Sequence, residues 1–299
     1  MRTQERLTEA YAGARVESLD PGCRYVIVSD CHRGDGSHSD DFNRNENAFL
    51  CALSYYHENG FVYVEAGDGD ELWEQPKFKY MQDAHHDVFQ LIKRFHDEER
   101  LIILWGNHNI YLSRPEYVSA HDDTDYDHHT QVTHDFLPGL APSEALVLRH
   151  STTGQEILVL HGHQGDFSND QFWFPTMLSV RYFWRFMRAF GFRNPASPVK
   201  NAQKRHKIEK NYTKWIEKHR MMLICGHTHR YKYPRQAELP YFNTGSCIYP
   251  AGMTAIEIID CEIRLVQWNV TVDGDATLRV KRRVLRGPDP LTSFDIRKV

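Results

Sequence analysis

Apolar and polar positions fall in blocks along the chain. Tyr25-Val26-Ile27-Val28 runs into Ser29-Asp30, Phe61-Val62-Tyr63-Val64 leads to Gly67-Asp68, and Leu101-Ile102-Ile103-Leu104-Trp105 stops at Gly106-Asn107. Ile157-Leu158-Val159-Leu160 before His161-Gly162, and Met221-Met222-Leu223-Ile224-Cys225 before Gly226-His227, repeat the pattern. Runs of four or five apolar residues rich in Val and Ile, without alternation, predict strands buried on both faces, as in a sheet covered by helices. Each polar end then sits in a loop at the rim of the sheet.

Helical spacing fills the gaps. Residues 46–59 read as a helix closed by Gly60, and residues 82–99 place Val88, Leu91, Ile92 and Phe95 on one stripe. After residue 240 the texture becomes alternating, as in Ala255-Ile256-Glu257-Ile258 and Ile263-Arg264-Leu265-Val266-Gln267-Trp268, which predicts a second, more antiparallel sheet packed on the first. Two stretches interrupt this grammar. Residues 119–135 are acidic and His-rich, but Asp123, Asp125 and Asp127 lack the glycine and closing glutamate of a calcium loop, so a solvated loop is expected. Residues 167–215 crowd Phe167, Phe172, Trp173, Phe174, Tyr182, Phe183, Trp184, Phe186, Phe190 and Phe192 beside Arg181, Arg185, Arg188 and Arg193, ahead of a basic helix from Lys200 to Lys218. There is no internal repeat.

The 299 residues, 41% of them hydrophobic, suffice for one large domain with a substantial core. A formal net charge of -4 argues against a protein that wraps duplex nucleic acid. The 6 cysteines are scattered, without a CxxC pair, which points to a reducing compartment. No apolar run approaches the roughly 18 residues that span a bilayer, and no apolar segment follows Met1. A soluble cytoplasmic protein is expected, with at most transient contact at a membrane surface.

Histidine is abundant, at 18 residues, and several stand where the strands end. Asp30-Cys31-His32, Gly67-Asp68 with Glu71, Gly106-Asn107-His108, His161-Gly162 and Gly226-His227-Thr228-His229 each follow one of the five buried runs. In an open α/β sheet the carboxyl ends of the strands gather ligands, so residues far apart in sequence can converge. Carboxylate and imidazole together suit Mn, Fe or Zn, whereas a Mg or Ca site would be dominated by oxygen. A lone aspartate after a strand, Asp68, suits a ligand shared between two ions about 3.5–4 Å apart, which polarise a phosphate and supply hydroxide at neutral pH. Singly, a strand-end histidine or aspartate is usually a loop or capping residue. Five such ends argue against that account.

In this order the motifs Asp-x-His, Gly-Asp-x-x-Glu, Gly-Asn-His, His-Gly and Gly-His-x-His resemble the calcineurin-like metallophosphoesterase superfamily, over roughly residues 24 to 260. The resemblance implies a four-layer αββα sandwich in one domain (residues 1–299) with a helical cap insertion at 167–215. It implies two divalent ions, Mn or Fe with Zn as an alternative. Asp30, His32, Asp68 and His229 would hold the first, and Asp68, Asn107, His161 and His227 the second. His108 would stabilise phosphoryl oxygens or protonate the leaving group, and Glu71 would support its loop. Two positions depart from the pattern. The third motif ends in Asn109 instead of an acid, which is expected to weaken the orientation of His108 and alter its pKa. The fourth offers both His161 and His163, of which His161 directly follows the strand. Arg33, His163, Arg181 and Arg185 are the candidates for substrate contacts.

The insertion admits two readings: a cap that buries its own aromatics on the domain, or a lid over the metal site offering apolar contact and arginines to phosphate. In placement and texture it is similar to UDP-2,3-diacylglucosamine pyrophosphatases. A small nucleotide-, sugar- or lipid-linked phosphate is the expected substrate class. A protein Ser/Thr phosphatase, a single-strand nuclease and a metal-free binding module stay open as alternatives, and the oligomeric state is not indicated.

Overall fold

The computed structural model describes residues 3–121, 125–127, 132–134, 136–189, 201–235 and 237–298. In chain order its elements are α1 (Thr3–Ala12), β1 (Arg15–Leu19), β2 (Arg24–Val28), α2 (Glu46–Glu58), β3 (Val62–Ala66), α3 (Phe78–Ala84), α4 (His86–Asp97), β4 (Leu101–Leu104) and α5 (Pro115–His121). There follow β5 (Asp125–Asp127), β6 (Val132–His134), β7 (Ala145–His150), β8 (Glu156–Leu160), α6 (Trp173–Ser179), α7 (Arg185–Ala189) and α8 (Ala202–His219). The chain ends with β9 (Met222–Cys225), β10 (Tyr241–Asn243), β11 (Met253–Ile259), β12 (Glu262–Val272) and β13 (Leu278–Pro290).

Two mixed sheets carry the fold, one of five strands in the order β1-β7-β8-β9-β10 and one of six in the order β13-β12-β11-β2-β3-β4. Side chains alternate across each strand, and this assigns them to layers. Ile27, Val64 and Ile102 of the larger sheet meet Leu146, Val159, Ile224 and Phe242 of the smaller one in a central core. On the far side Val26, Val28 and Tyr63 pack under Phe49, Leu53, Val88, Ile92 and Phe95 of α2 and α4. The smaller sheet turns Val147, Leu158 and Leu223 toward Leu7 of α1 and Ile208, Trp215 and Ile216 of α8. The αββα sandwich is therefore present, and the five runs without alternation are the strands it covers on both faces. Each such buried aliphatic side chain contributes about 1.5–3 kcal/mol of transfer free energy.

Two sequence expectations need correction. The alternating strands after residue 240 do not found a second sheet: β11 pairs antiparallel with β2, placing Ile256 opposite Ile27, and β12 and β13 extend the same sheet outward. Alternation does not identify a strand's neighbour: in β12 it marks a wetter face, whereas in β11 the polar Glu257 is buried and accepts from Tyr56 Oη (2.8 Å). The helix expected over 82–99 breaks at His85 (φ -121, ψ 39), leaving α3 and α4. The His85 imidazole is drawn inside, 2.8 Å from Asp40 Oδ2 and 2.9 Å from Glu46 Oε1, and the backbone leaves helical geometry to deliver it.

β5 and β6 form a two-stranded ribbon, but the side chains of the His-rich stretch 119–135 lie almost wholly outside the described residues, as do those of Arg188, Phe190, Phe192 and Arg193. No helix among the described residues is long and apolar enough to cross a membrane.

Candidate metal centre

The strand ends converge through their backbones before any side chain is considered. Asp30 N donates to Gly67 O (3.1 Å), His32 N to Asp68 O (2.9 Å), Arg33 N to Gly69 O (2.9 Å) and Glu71 N to Arg33 O (3.0 Å), so the first two loops continue the parallel pairing of β2 and β3. In the smaller sheet Gly226 N donates to His161 O (2.8 Å), continuing the pairing of β8 and β9, and across the sandwich His227 N donates to Asp30 Oδ2 (2.9 Å). Asp30, His32, Asp68, His227 and His229 all stand at φ between 48 and 64. Non-glycine residues rarely adopt this left-handed conformation, which costs roughly 1–3 kcal/mol each and persists where surrounding structure enforces it; Glu99, Arg220, Asp260, Cys261 and Ala276 adopt it elsewhere, so what sets the site apart is the concentration of five such residues in its loops. Glycine is required between them. A Cβ on Gly106 would collide with Asp68 Oδ1, and one on Gly67 (φ +85) with the His161 side chain.

Among the described residues the side chains form three groups able to hold a cation, Asp30/His32/His229, Asp68/His161/His227 and His32/Glu71/His108, each with ligand atoms within 4.8 Å of one another; the first two contain only residues expected as ligands. Asp68 joins them. Its Oδ1 accepts from His108 N (2.8 Å), while Oδ2 lies 3.1 Å from His161 Nε2 and 3.9 Å from His32 Nε2. Asn107, 1% exposed, precedes His108 in the loop after β4 with its Oδ1 buried.

The protonation pattern explains why these atoms fit a metal. His161 Nδ1–H donates to Ala66 O (3.1 Å), and His32 Nδ1–H to Glu71 Oε2 (2.8 Å). In neutral imidazoles Nε2 then carries the lone pair. His161 Nε2 faces a carboxylate oxygen, and His32 Nε2 lies 3.2 Å from His229 Nε2. Lone pairs so close repel unless a proton or cation lies among them. Asp30 Oδ1, Asn107 Oδ1 and His161 Nε2 are buried without a well-formed hydrogen bond, and an orphaned buried acceptor costs about 1–3 kcal/mol. Burial pushes the Asp30 and Asp68 carboxyls up, but the His229 and His161 charges beside Asp30, and the His161 and His108 charges beside Asp68, hold both well below the usual carboxylate range. Burial opposes charging of His161, yet Asp68 and Asp30 raise its pKa. The pocket favours positive charge.

Glu71 ties His108 to this cluster. Its Oε2 holds His32 and its Oε1 accepts from His108 Nδ1 at 2.7 Å. Burial raises the Glu71 carboxyl, but the His108 and His32 charges outweigh it and pull it well below its ordinary value. Asn109 Oδ1 accepts from Gly106 N (2.6 Å) and Asp68 N (3.3 Å), while the side-chain hydrogen bond to His108 Nδ1 comes from Glu71. Trp73, which sequence reasoning missed, stacks on His108 with ring centroids 4.3 Å apart at 25°. It stands two residues past Glu71 in the same loop, the one sequence signal that could have found it.

The four residues proposed for substrate contact fare differently. Arg33 is 1% exposed, donating to both oxygens of Glu65 (2.7 and 2.8 Å) and to Asp70 Oδ1 (2.8 Å), so it braces the two loops instead of facing solvent. His163 is also 1% exposed, and burial together with the His161 and His227 charges drives its pKa well below the usual imidazole value. Its ring lies 5.5 Å from that of His161, which alone of the two faces Asp68. Arg181 and Arg185 bond to the loop around Trp73. Asp166, at the mouth of the insertion, lies 3.3 Å from His227 Nε2 and 2.9 Å from Lys204 Nζ.

No protein-family model matches the chain, and no curated protein matches it. Among solved structures, it is similar to a conserved uncharacterized protein of Streptococcus pneumoniae TIGR4, described as a predicted phosphoesterase, at 14% identity over 88% of this chain and 97% of that one, with a TM-score of 0.34. Vps29 from Entamoeba histolytica, complexed with zinc, gives 14% identity over 88% and 99%, TM-score 0.36. A point mutant of a cold-active protein tyrosine phosphatase gives 14% identity over 91% and 82%, TM-score 0.38. The chemistry has to be read from the site itself.

Proposed function

We propose that this chain is a metal-dependent phosphoesterase. The observation that carries the reading is the crowding of buried ligand atoms that lack a well-formed hydrogen bond, Asp30 Oδ1 (3.0 Å from His229 Nε2), Asn107 Oδ1 and His161 Nε2 (3.1 Å from Asp68 Oδ2), on loops whose backbones are bent into left-handed conformations at Asp30, His32, Asp68, His227 and His229. Asp30, His32, Asp68 and His229 would hold one divalent cation, and Asp68, Asn107, His161 and His227 a second, with Mn or Fe favoured by the mixed nitrogen and oxygen donors and Zn as the alternative. Such a pair supplies Lewis acidity toward phosphoryl oxygens and makes hydroxide available near neutral pH.

The protein's own groups do the rest. Ionised Asp30 and Asp68 bring negative charge to the centre. Glu71 fixes the His32 tautomer, which aims the Nε2 lone pair at the cluster, an outer-shell role common around metal-bound histidines. The same carboxylate holds His108 by Nδ1, so Nε2 is the atom from which His108 gives a proton to the leaving group or donates to a phosphoryl oxygen. The Trp73 ring shields one face of that imidazole from water. A small nucleotide-, sugar- or lipid-linked phosphate is the substrate class supported by the insertion, where Phe172, Phe174, Tyr182, Phe183 and Phe186 are 50–74% exposed, not buried as a self-contained cap would require.

Hydrolysis of p-nitrophenyl phosphate and bis-p-nitrophenyl phosphate, after chelation and Mn²⁺ add-back, tests the reading. Turnover that disappears with chelation and returns with Mn²⁺ is expected, and the preferred reagent separates monoesterase from diesterase. Absence of turnover with Mn²⁺, Fe²⁺ and Zn²⁺ alike would overturn it in favour of a binding module.

A further inference from the structure

Two arginines of the insertion, Arg181 and Arg185, hold the loop after β3. Arg181 Nε donates to Trp73 O (2.8 Å) and its Nη2 to Leu72 O (3.0 Å). Arg185 Nη1 donates to Glu74 O (2.9 Å), and its Nη2 meets Asp35 Oδ2 at 2.7 Å. Asp35 also accepts from Gln75 Nε2 (3.2 Å), which closes the loop from its far end. Arg181 lies in the π-helical turns Val180–Trp184 that join α6 to α7 and Arg185 opens α7, and π-turns inside helices recur at functional sites. Three successive carbonyls, from Leu72 to Glu74, thus point at one helical segment over 100 residues away in sequence. The same turn carries Glu71 at its start and Trp73 at its centre, two of the side chains that touch the His108 ring, against which His32 also packs edge-on with centroids 4.7 Å apart. A guanidinium fork that reaches two adjacent carbonyls fixes a turn's orientation as a single ammonium cannot.

We infer that Arg181, seconded by Arg185, is a positioning residue: the insertion clamps the Glu71–Trp73 turn and thereby fixes His108, and these arginines are not the arms that bind substrate phosphate. The inference rests on the phosphoesterase reading for its kinetic consequence, but the clamp itself is a property of the fold. A side chain displaced by about 1 Å costs on the order of 100-fold in rate when it orients a reacting group. Losing the fork therefore lowers kcat and spares ground-state binding.

Two measurements on Arg181→Ala and Arg181→Lys decide it. In hydrogen exchange followed by mass spectrometry, peptides spanning residues 70–76 and 105–112 should exchange at least about tenfold faster in Arg181→Ala, with the β-strand core unchanged. In Mn²⁺-saturated assays kcat should fall about 10- to 100-fold with KM within about twofold, and Arg181→Lys should recover part of the loss. A raised KM with kcat preserved would make Arg181 a substrate-binding arm and overturn the inference, as would unchanged exchange in both peptides. If wild-type protein showed no metal-dependent turnover, the phosphoesterase reading would fall while the exchange data still decided the clamp.

Discussion

Replacing Glu71 by glutamine tests how one carboxylate serves two histidines. Glu71 accepts from His32 at 2.8 Å and from His108 at 2.7 Å, one oxygen to each, in a site where it is 7% exposed. A glutamine of the same shape has one acceptor oxygen, and its amide presents N–H groups to whichever imidazole N–H remains. One of the two hydrogen bonds must be lost or one ring must change tautomer. A buried hydrogen bond to a charged group contributes about 1.5–3 kcal/mol, and at about 1.4 kcal/mol per factor of ten a loss near 2 kcal/mol is roughly 30-fold. If the His32 arm fails, the loss falls on the apparent Mn²⁺ affinity, within the roughly 10- to 100-fold range typical of outer-shell ligands. If the His108 arm fails, it falls on kcat at saturating metal. Titrating activity on bis-p-nitrophenyl phosphate with Mn²⁺ separates the two, since affinity is read from the midpoint and kcat from the plateau. The reasoning fails if a folded Glu71→Gln protein keeps both within about twofold of wild type.

Other predictions concern the frame of the site. Arg33→Met leaves Glu65 and Asp70 buried without their cation, and removing one partner of a buried ion pair costs about 3–5 kcal/mol; urea unfolding should show that loss, and a change under about 1 kcal/mol would contradict the bracing role. His85 titrates in the fold with a raised pKa, because its hydrogen bonds to Asp40 and Glu46 outweigh burial, which alone would lower it. Its contribution is then complete below the unfolded value of about 6.5 and is lost as pH rises through the higher folded value. The stability gap between wild type and His85→Gln should therefore be widest near about pH 6 and narrow toward about pH 9, whereas a gap that widened with pH would refute the assignment.

What the sequence made legible follows from what its patterns encode. A strand covered on both faces needs an unbroken apolar run, so β2, β3, β4, β8 and β9 announced themselves, and their polar ends located the cluster that the structure brings together. The same logic could not tell that β2, β3 and β4 lie in one sheet while β8 and β9 lie in another, because sheet membership depends on backbone pairing and not on local hydrophobicity. His85 was hidden for a similar reason: within a helical stripe its inward turn toward Asp40 and Glu46 depends on residues some forty positions away. Arg33, Arg181 and Arg185 were candidates for substrate contact because guanidinium groups near a phosphate site suit that task, with loop and packing roles as the other reading. Their partners are carboxylates and carbonyls of the loops themselves, and no spacing in the sequence pairs Arg181 with Trp73. The exposed aromatics of the insertion were ambiguous for the opposite reason, since aromatic content is the same whether rings face a core or solvent.

The claim on which everything else rests is that seven side chains from five strand ends, Asp30, His32, Asp68, Asn107, His161, His227 and His229, hold two cations. Metal analysis of chelated protein reloaded with Mn²⁺ and freed of excess, on wild type and on Asp68→Ala, tests it directly. Two ions per wild-type chain, with both lost or sharply weakened in a folded Asp68→Ala protein, is the predicted result because Asp68 lies between the two groups. Wild-type protein that retains no metal, or an Asp68→Ala variant that still holds two ions as tightly, would contradict the account.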